Sequence, residues 1–215
     1  LLCITNLFVT EANMDSAQAA RNLEVIRTLM ERTCQYRLLT AHAALAAGTL
    51  AVVGALSFIL LDPADPAVFG TVWALVFAGS LTGTCVGTLM RGRERGERVW
   101  SRQTRAVVLA LTPALFAGLV WTVFLFALGK HLWLPGVWML CYGQGSLATA
   151  TYAPRAIGWT GAALLALGAL TLALGPTAAV TMMGIAFGGG HLALGTALLT
   201  EERHETRLRL HRGVA

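Results

Sequence analysis

Residues 182–199 read "MMGIAFGGGHLALGTALL" and carry no charged side chain. A run of this length without charge is a candidate for crossing the hydrocarbon core of a bilayer as a helix. Gly188, Gly189 and Gly190 lead directly into His191. Glycine is a weak helix former, and an imidazole is costly in lipid unless it finds a partner. Three roles for His191 follow: catalytic base, haem or metal ligand, or a packed residue in a helix seam. The choice depends on the rest of the chain.

The composition agrees with a membrane solvent. The chain has 215 residues, 56% hydrophobic and 13% charged, with mean hydropathy +0.65. Soluble domains carry about 25% charged residues. Six spans of membrane length appear, at roughly 41–61, 69–90, 106–128, 132–153, 156–174 and 177–199. No Asp, Glu, Lys or Arg lies inside them, which argues against proton relays and ion pumps. The links "DPADPAV", "GKH", "PRA" and "GPT" are short and rich in turn formers, so the spans they join should be antiparallel neighbours. Pro113 should kink the third span.

Arginine distribution orients the bundle. Fifteen of the sixteen basic residues are Arg, and all fifteen fall on one side of the spans; Lys130 alone falls on the other. The positive-inside rule places both termini in the cytoplasm, consistent with an even number of spans. Trp133 and Trp159 lie near span ends, where interfacial anchors belong. The Arg-rich, Ala- and Gly-heavy composition points to a bacterial inner membrane. The pI of about 9.5 is explained by this topology, without a nucleic-acid partner.

Outside the spans, residues 1–14 read as a disordered or upstream extension, with Met14 a candidate start. Residues 15–39 read as a cytoplasmic amphipathic helix, with Leu23, Ile26 and Met30 on one stripe. The membrane domain covers 40–200, and 201–215 form a cytoplasmic tail. Cys3, Cys34, Cys85 and Cys141 are far apart, without a metal-site or disulfide pattern, and are expected to be buried small hydrophobes. No cofactor or metal is indicated.

Small residues are ordered along the spans. Gly79, Gly83 and Gly87 form one row, and Gly184, Gly188 and Gly195 another, with His191 in phase. Such rows let helix backbones approach closely in lipid. Intramolecular packing is the first reading, and homodimerisation through the second span is the alternative. A weak internal echo sets an aromatic before a small residue in spans two, four and six: Phe77–Ala78, Tyr142–Gly143 and Phe187–Gly188.

The polar residues of the spans gather in two places. "CYGQGS" in span four holds Tyr142, Gln144 and Ser146, and His191 should lie at a similar depth in span six. Unpaired amides and imidazoles are costly in hydrocarbon, so these residues should form an interhelical cluster or a ligand site. Gln144 is the expected partner of His191, with Tyr142 the alternative. A haem held by His42 and His191 is a further reading. His131, His204 and His211 are expected to be solvated.

Ser146 on span four and His191 on span six give a weak, partial resemblance to rhomboid intramembrane proteases, which pair a G-x-S-G serine with a histidine on the sixth helix. The resemblance implies Ser146 as nucleophile and His191 as base, and it covers two short patches. "HLALG" is similar to the second motif. "QGSL" departs from the first, and the long first loop of that family is absent. "IRTLMERTCQYR", "YGQG" and "FGGGHLALG" together resemble a group of small bacterial six-span proteins without assigned function. That resemblance implies an integral membrane protein and no activity.

At the cytoplasmic side, Arg91, Arg93, Arg95 and Arg98 are placed to meet anionic lipid headgroups. This loop and the tail are also where a cytoplasmic protein partner would dock. The fold expected is all-α, a six-helix polytopic bundle with an N-terminal amphipathic helix. The first functional reading is a non-enzymatic accessory or sensory module. A permease for a small neutral or lipophilic solute is the alternative, and a rhomboid-like serine hydrolase comes third.

Overall fold

The computed structural model describes residues 18–19, 21–24 and 40–211, with the side chains of 205, 206 and 208–211 left aside. Two units divide at residues 35 and 36. In the first, Gln18, Ala19 and 21–24 are helical; the expected amphipathic stripe beyond Leu23 and the extension at 1–14 lie outside the described residues.

In the second unit all the regular secondary structure among the described residues is helical, without a strand. The helices are α1 (Ala41–Ser57), α2 (Pro66–Arg95), α3 (Arg102–Ala127), α4 (Leu134–Thr149) and α5 (Arg155–Leu174). The last segment is composite: a 3-10 turn Pro176–Ala178, α6 (Ala179–Met183), a π-helical turn Gly184–Gly189 and α7 (Gly190–His211). Four helices are long and apolar enough to cross a membrane: α2, α3, α5 and the stretch Pro176–His204. α1 has 17 residues and α4 has 16, preceded by a 3-10 turn at His131–Trp133.

Local chemistry sets these ends. Pro66 opens α2 after Asp65, whose carboxylate accepts from Ala67 N (2.8 Å) and Val68 N (3.4 Å). α2 then runs past the apolar stretch to Arg95 and stops at Gly96, whose φ of 62° suits a residue without a side chain. Ser101 caps α3 by accepting from Thr104 N (3.2 Å), and the Thr104 hydroxyl donates to Val99 O (2.6 Å). α1 ends at Ser57, earlier than its hydropathy implies, because residues 58–61 coil into tight turns ahead of Pro63. α4 ends at Thr149, five residues before Pro154, which disfavours helix in its predecessor. α3 stays helical through Pro113.

The helices form an open arc. α3 packs on α4, α4 on α5, α5 on the last segment, the last segment on α1, and α1 on α2. Each short link joins packed neighbours. The long loop between α2 and α3 does not: those helices are consecutive yet do not pack along their lengths. They meet at one end, where a Cβ on Gly70 would lie 3.0 Å from the Phe126 ring. Phe77 of α2 also reaches Trp138 of α4, with ring centroids 6.0 Å apart. At the other end, Arg91 of α2 is ion-paired with Glu202 of α7.

Two small-residue seams bring backbones together. On α1 and the last segment, Gly48 faces Leu192 and Gly188, Gly184 faces Ala55, and Gly195 faces Leu45. Between α4 and α5, Gly143 faces Gly161, and Gly136 faces Gly168. Gly79 lies against Leu50 of α1 and Gly87 against Ala43 of α1 and its capping residue Thr40, while nothing lies within 4 Å of a Cβ on Gly83. The second-span row therefore serves α1 inside the chain.

Two residues depart from their expected settings. Cys85 is exposed, because it falls on the side of α2 away from α1; Cys141 is buried. His131 is 4% exposed, not solvated. The link between α1 and α2 folds over it, so that Nε2 donates to Pro63 O (3.1 Å) and the ring lies against Phe69 and Phe126. A position between spans does not reveal that a neighbouring loop will cover it.

Candidate functional site

The site is the polar group where α4 meets the last segment. His191 is the second residue of α7, two positions beyond the end of the π-helical turn at Gly189. A π turn holds an extra residue compared with an α turn, and such turns often mark functional sites. Gly184, Gly188 and Gly195 face α1, with Leu192 beside Gly48, while His191 reaches Tyr142 of α4.

There, His191 Nδ1 is 2.8 Å from Phe187 O, and Nε2 is 3.4 Å from the Tyr142 hydroxyl. A carbonyl can only accept, so Nδ1 carries the proton in the first bond. In the neutral imidazole, Nε2 then accepts, and the Tyr142 hydroxyl donates to it. The rings are stacked as well: Tyr142 and His191 centroids lie 5.7 Å apart at 28°, and Phe187 and His191 lie 6.1 Å apart at 19°. Tyr142 and Phe187 close the triangle at 5.7 Å. Beneath it, Met139, Leu164, Met183 and Ala186 form a buried apolar cluster.

Gln144 is not in this group. It is exposed on α4 and makes no hydrogen bond among the described residues. The reason is helical phase: residues two apart point to nearly opposite sides, so only one of Tyr142 and Gln144 can face His191. The pairing of His191 with Gln144, expected from sequence, is replaced by pairing with Tyr142. Ser146 is 5% exposed and packs toward α5, where a Cβ on Gly161 would meet Ser146 Cβ at 3.0 Å. His42 lies on an exposed face of α1. Neither Ser146 nor His42 is a hydrogen-bond or ring-contact neighbour of His191. Among the described residues no three His, Cys, Asp or Glu side chains gather to hold a metal ion.

A second polar contact that sequence reading did not single out joins α3 to α4. Trp138 Nε1 donates to Thr122 Oγ1 (2.9 Å), whose hydroxyl donates to Gly118 O (2.8 Å). Gly118 leaves room for the indole, which a Cβ there would approach to 2.9 Å. The signal was a tryptophan four residues before Tyr142, opposite a Gly-x-x-x-Thr pair.

At the charged end, Arg91 is largely buried in its pair with Glu202, while Arg93, Arg95 and Arg98 are exposed. Trp100 is 67% exposed beside them, on a turn held by the Thr104 and Ser101 contacts and by Val99 packed on Gly92. No family model, curated protein or solved structure matches the chain.

Proposed function

We propose that this chain is a six-span integral membrane protein of a bacterial inner membrane, with both termini in the cytoplasm, working without catalysis as an accessory or sensory module. The observation that carries the reading is the closed bonding of its polar group. His191 is used at both nitrogens, by Phe187 O and by the Tyr142 hydroxyl. It holds α4 to the last segment and has no free base for a nucleophile. Six spans are supported by the arc, in which the two shorter helices α1 and α4 each pack between longer apolar ones. The orientation rests on the arginine count. Arg93, Arg98 and Trp100 then face the cytoplasmic surface, where they would meet anionic headgroups or a protein partner.

Single cysteines at Lys130, Arg98 and His204, in a chain otherwise free of cysteine, test the topology. A membrane-impermeant maleimide should label Lys130→Cys from outside intact cells and the other two only in inverted vesicles. The opposite pattern refutes the orientation. A fluorophosphonate should leave Ser146 unmodified, since the hydroxyl is packed toward Gly161 and the imidazole is occupied. Labelling that Ser146→Ala abolishes would establish the hydrolase instead.

The permease reading is favoured by one observation, the separation of α2 and α3 along their lengths. It would admit a small neutral solute between them. Glycerol flux into proteoliposomes above the protein-free rate would support that reading against the accessory one.

A further inference from the structure

We propose that two copies of this chain pair through α4, with their Gln144 carboxamides hydrogen-bonded to each other across a two-fold axis along the membrane normal. The inference rests on the membrane placement of α4 and not on the accessory role. Gly143 faces α5 and Gly145 faces Leu111 and Ala114 of α3, so Gln144 between them points outward from the bundle. Its level is set by the same contacts: Leu111 and Ala114 are six and nine residues along α3 from Arg105, the last charge before the apolar stretch, or about 9–14 Å from the charged end. That is well within a hydrocarbon core about 30 Å thick. Acyl chains offer neither donor nor acceptor to an amide there.

A carboxamide carries both a donor and an acceptor, so it is complementary to itself. A second copy inserted in the same orientation returns the same amide at the same depth. Closed two-fold symmetry then makes both hydrogen bonds at once. Ala148, one turn further, is exposed and small enough for close helix approach. The glycine row of α2 is less suited to this role, because Gly79 and Gly87 already lie against α1.

The experiment uses the full chain with Cys3, Cys34, Cys85 and Cys141 replaced, reconstituted in lipid vesicles. Ala148→Cys should form a disulfide dimer on mild oxidation, and Leu89→Cys, 48% exposed on α2, should not. Adding Gln144→Leu should weaken self-association, measured by energy transfer between copies labelled at His204→Cys, by about tenfold. Gln144→Asn should retain most of it. Equal cross-linking at Ala148→Cys and Leu89→Cys, or association unchanged by Gln144→Leu, overturns the pairing. Because Gln144 touches no described partner within its own chain, Gln144→Leu should leave the melting temperature of the dilute monomer unchanged. Labelling of Gln144→Cys by a water-soluble maleimide would overturn the membrane placement of α4. Shielding without self-association would overturn the pairing alone.

Discussion

Gly48→Ala and Gly161→Ala are each expected to destabilise the bundle by about 3 kcal/mol, while Gly83→Ala stabilises it by about 0.5–1 kcal/mol. The chemical change is the same in all three. A Cβ on Gly48 would stand 2.8 Å from Leu192 N and 2.9 Å from Gly188 O; one on Gly161 would stand 2.9 Å from Gly143 O and 3.0 Å from Leu147 N. These neighbours are backbone atoms of a packed helix. They cannot rotate away as a side-chain tip can, so whole helices must separate, with loss of dispersion contacts along the seam. At Gly83 nothing lies within 4 Å, and only the gain in helix propensity remains. Thermal unfolding in one detergent should show melting temperatures lowered by roughly 6–12 °C for the first two and unchanged or raised for the third. Three shifts of the same sign would remove the close-approach account of these seams.

This contrast also marks what could be read from the amino acids. The small-residue rows, the four long apolar helices and the short links between packed neighbours are all consequences of hydropathy and spacing. The phase of the last segment is not. Glycines at 184, 188 and 195 look like one helical face that includes His191; the structure places a π turn at Gly184–Gly189, brings Leu192 against Gly48 and sends the His191 imidazole to Tyr142. A glycine-rich string permits the wider turn without announcing it. Likewise Tyr142 and Gln144 sit in the same "YGQG" string, each beside a glycine that allows close packing. Which of the two turns inward depends on where α3 and α5 dock, and that is a tertiary fact. The cover over His131 has the same origin, since Pro63 belongs to a loop 68 residues earlier.

The second large effect concerns His191. His191→Leu should destabilise the protein by about 2–3 kcal/mol and Tyr142→Phe by about 1 kcal/mol, with the double variant less destabilised than their sum. Leucine at 191 removes the donor to Phe187 O and leaves the Tyr142 hydroxyl without its acceptor. Phenylalanine at 142 removes a donor at 3.4 Å and keeps the ring against His191 and Phe187. It leaves only an imidazole lone pair unfilled, a smaller loss than a stranded O–H. Once the hydroxyl is gone, the leucine strands nothing on α4, so the two changes must couple, by roughly 1 kcal/mol if the bond has the usual interhelical worth. Strict additivity in the same detergent would mean that the hydroxyl and the imidazole do not interact. His191→Gln sharpens the comparison. Its carboxamide can accept from Tyr142 but cannot reproduce the ring stack on Phe187, so it should recover the coupling while losing the stacking contribution. Recovery of the coupling alone assigns the clamp to the hydrogen bond; full recovery of stability would assign nothing to the stack.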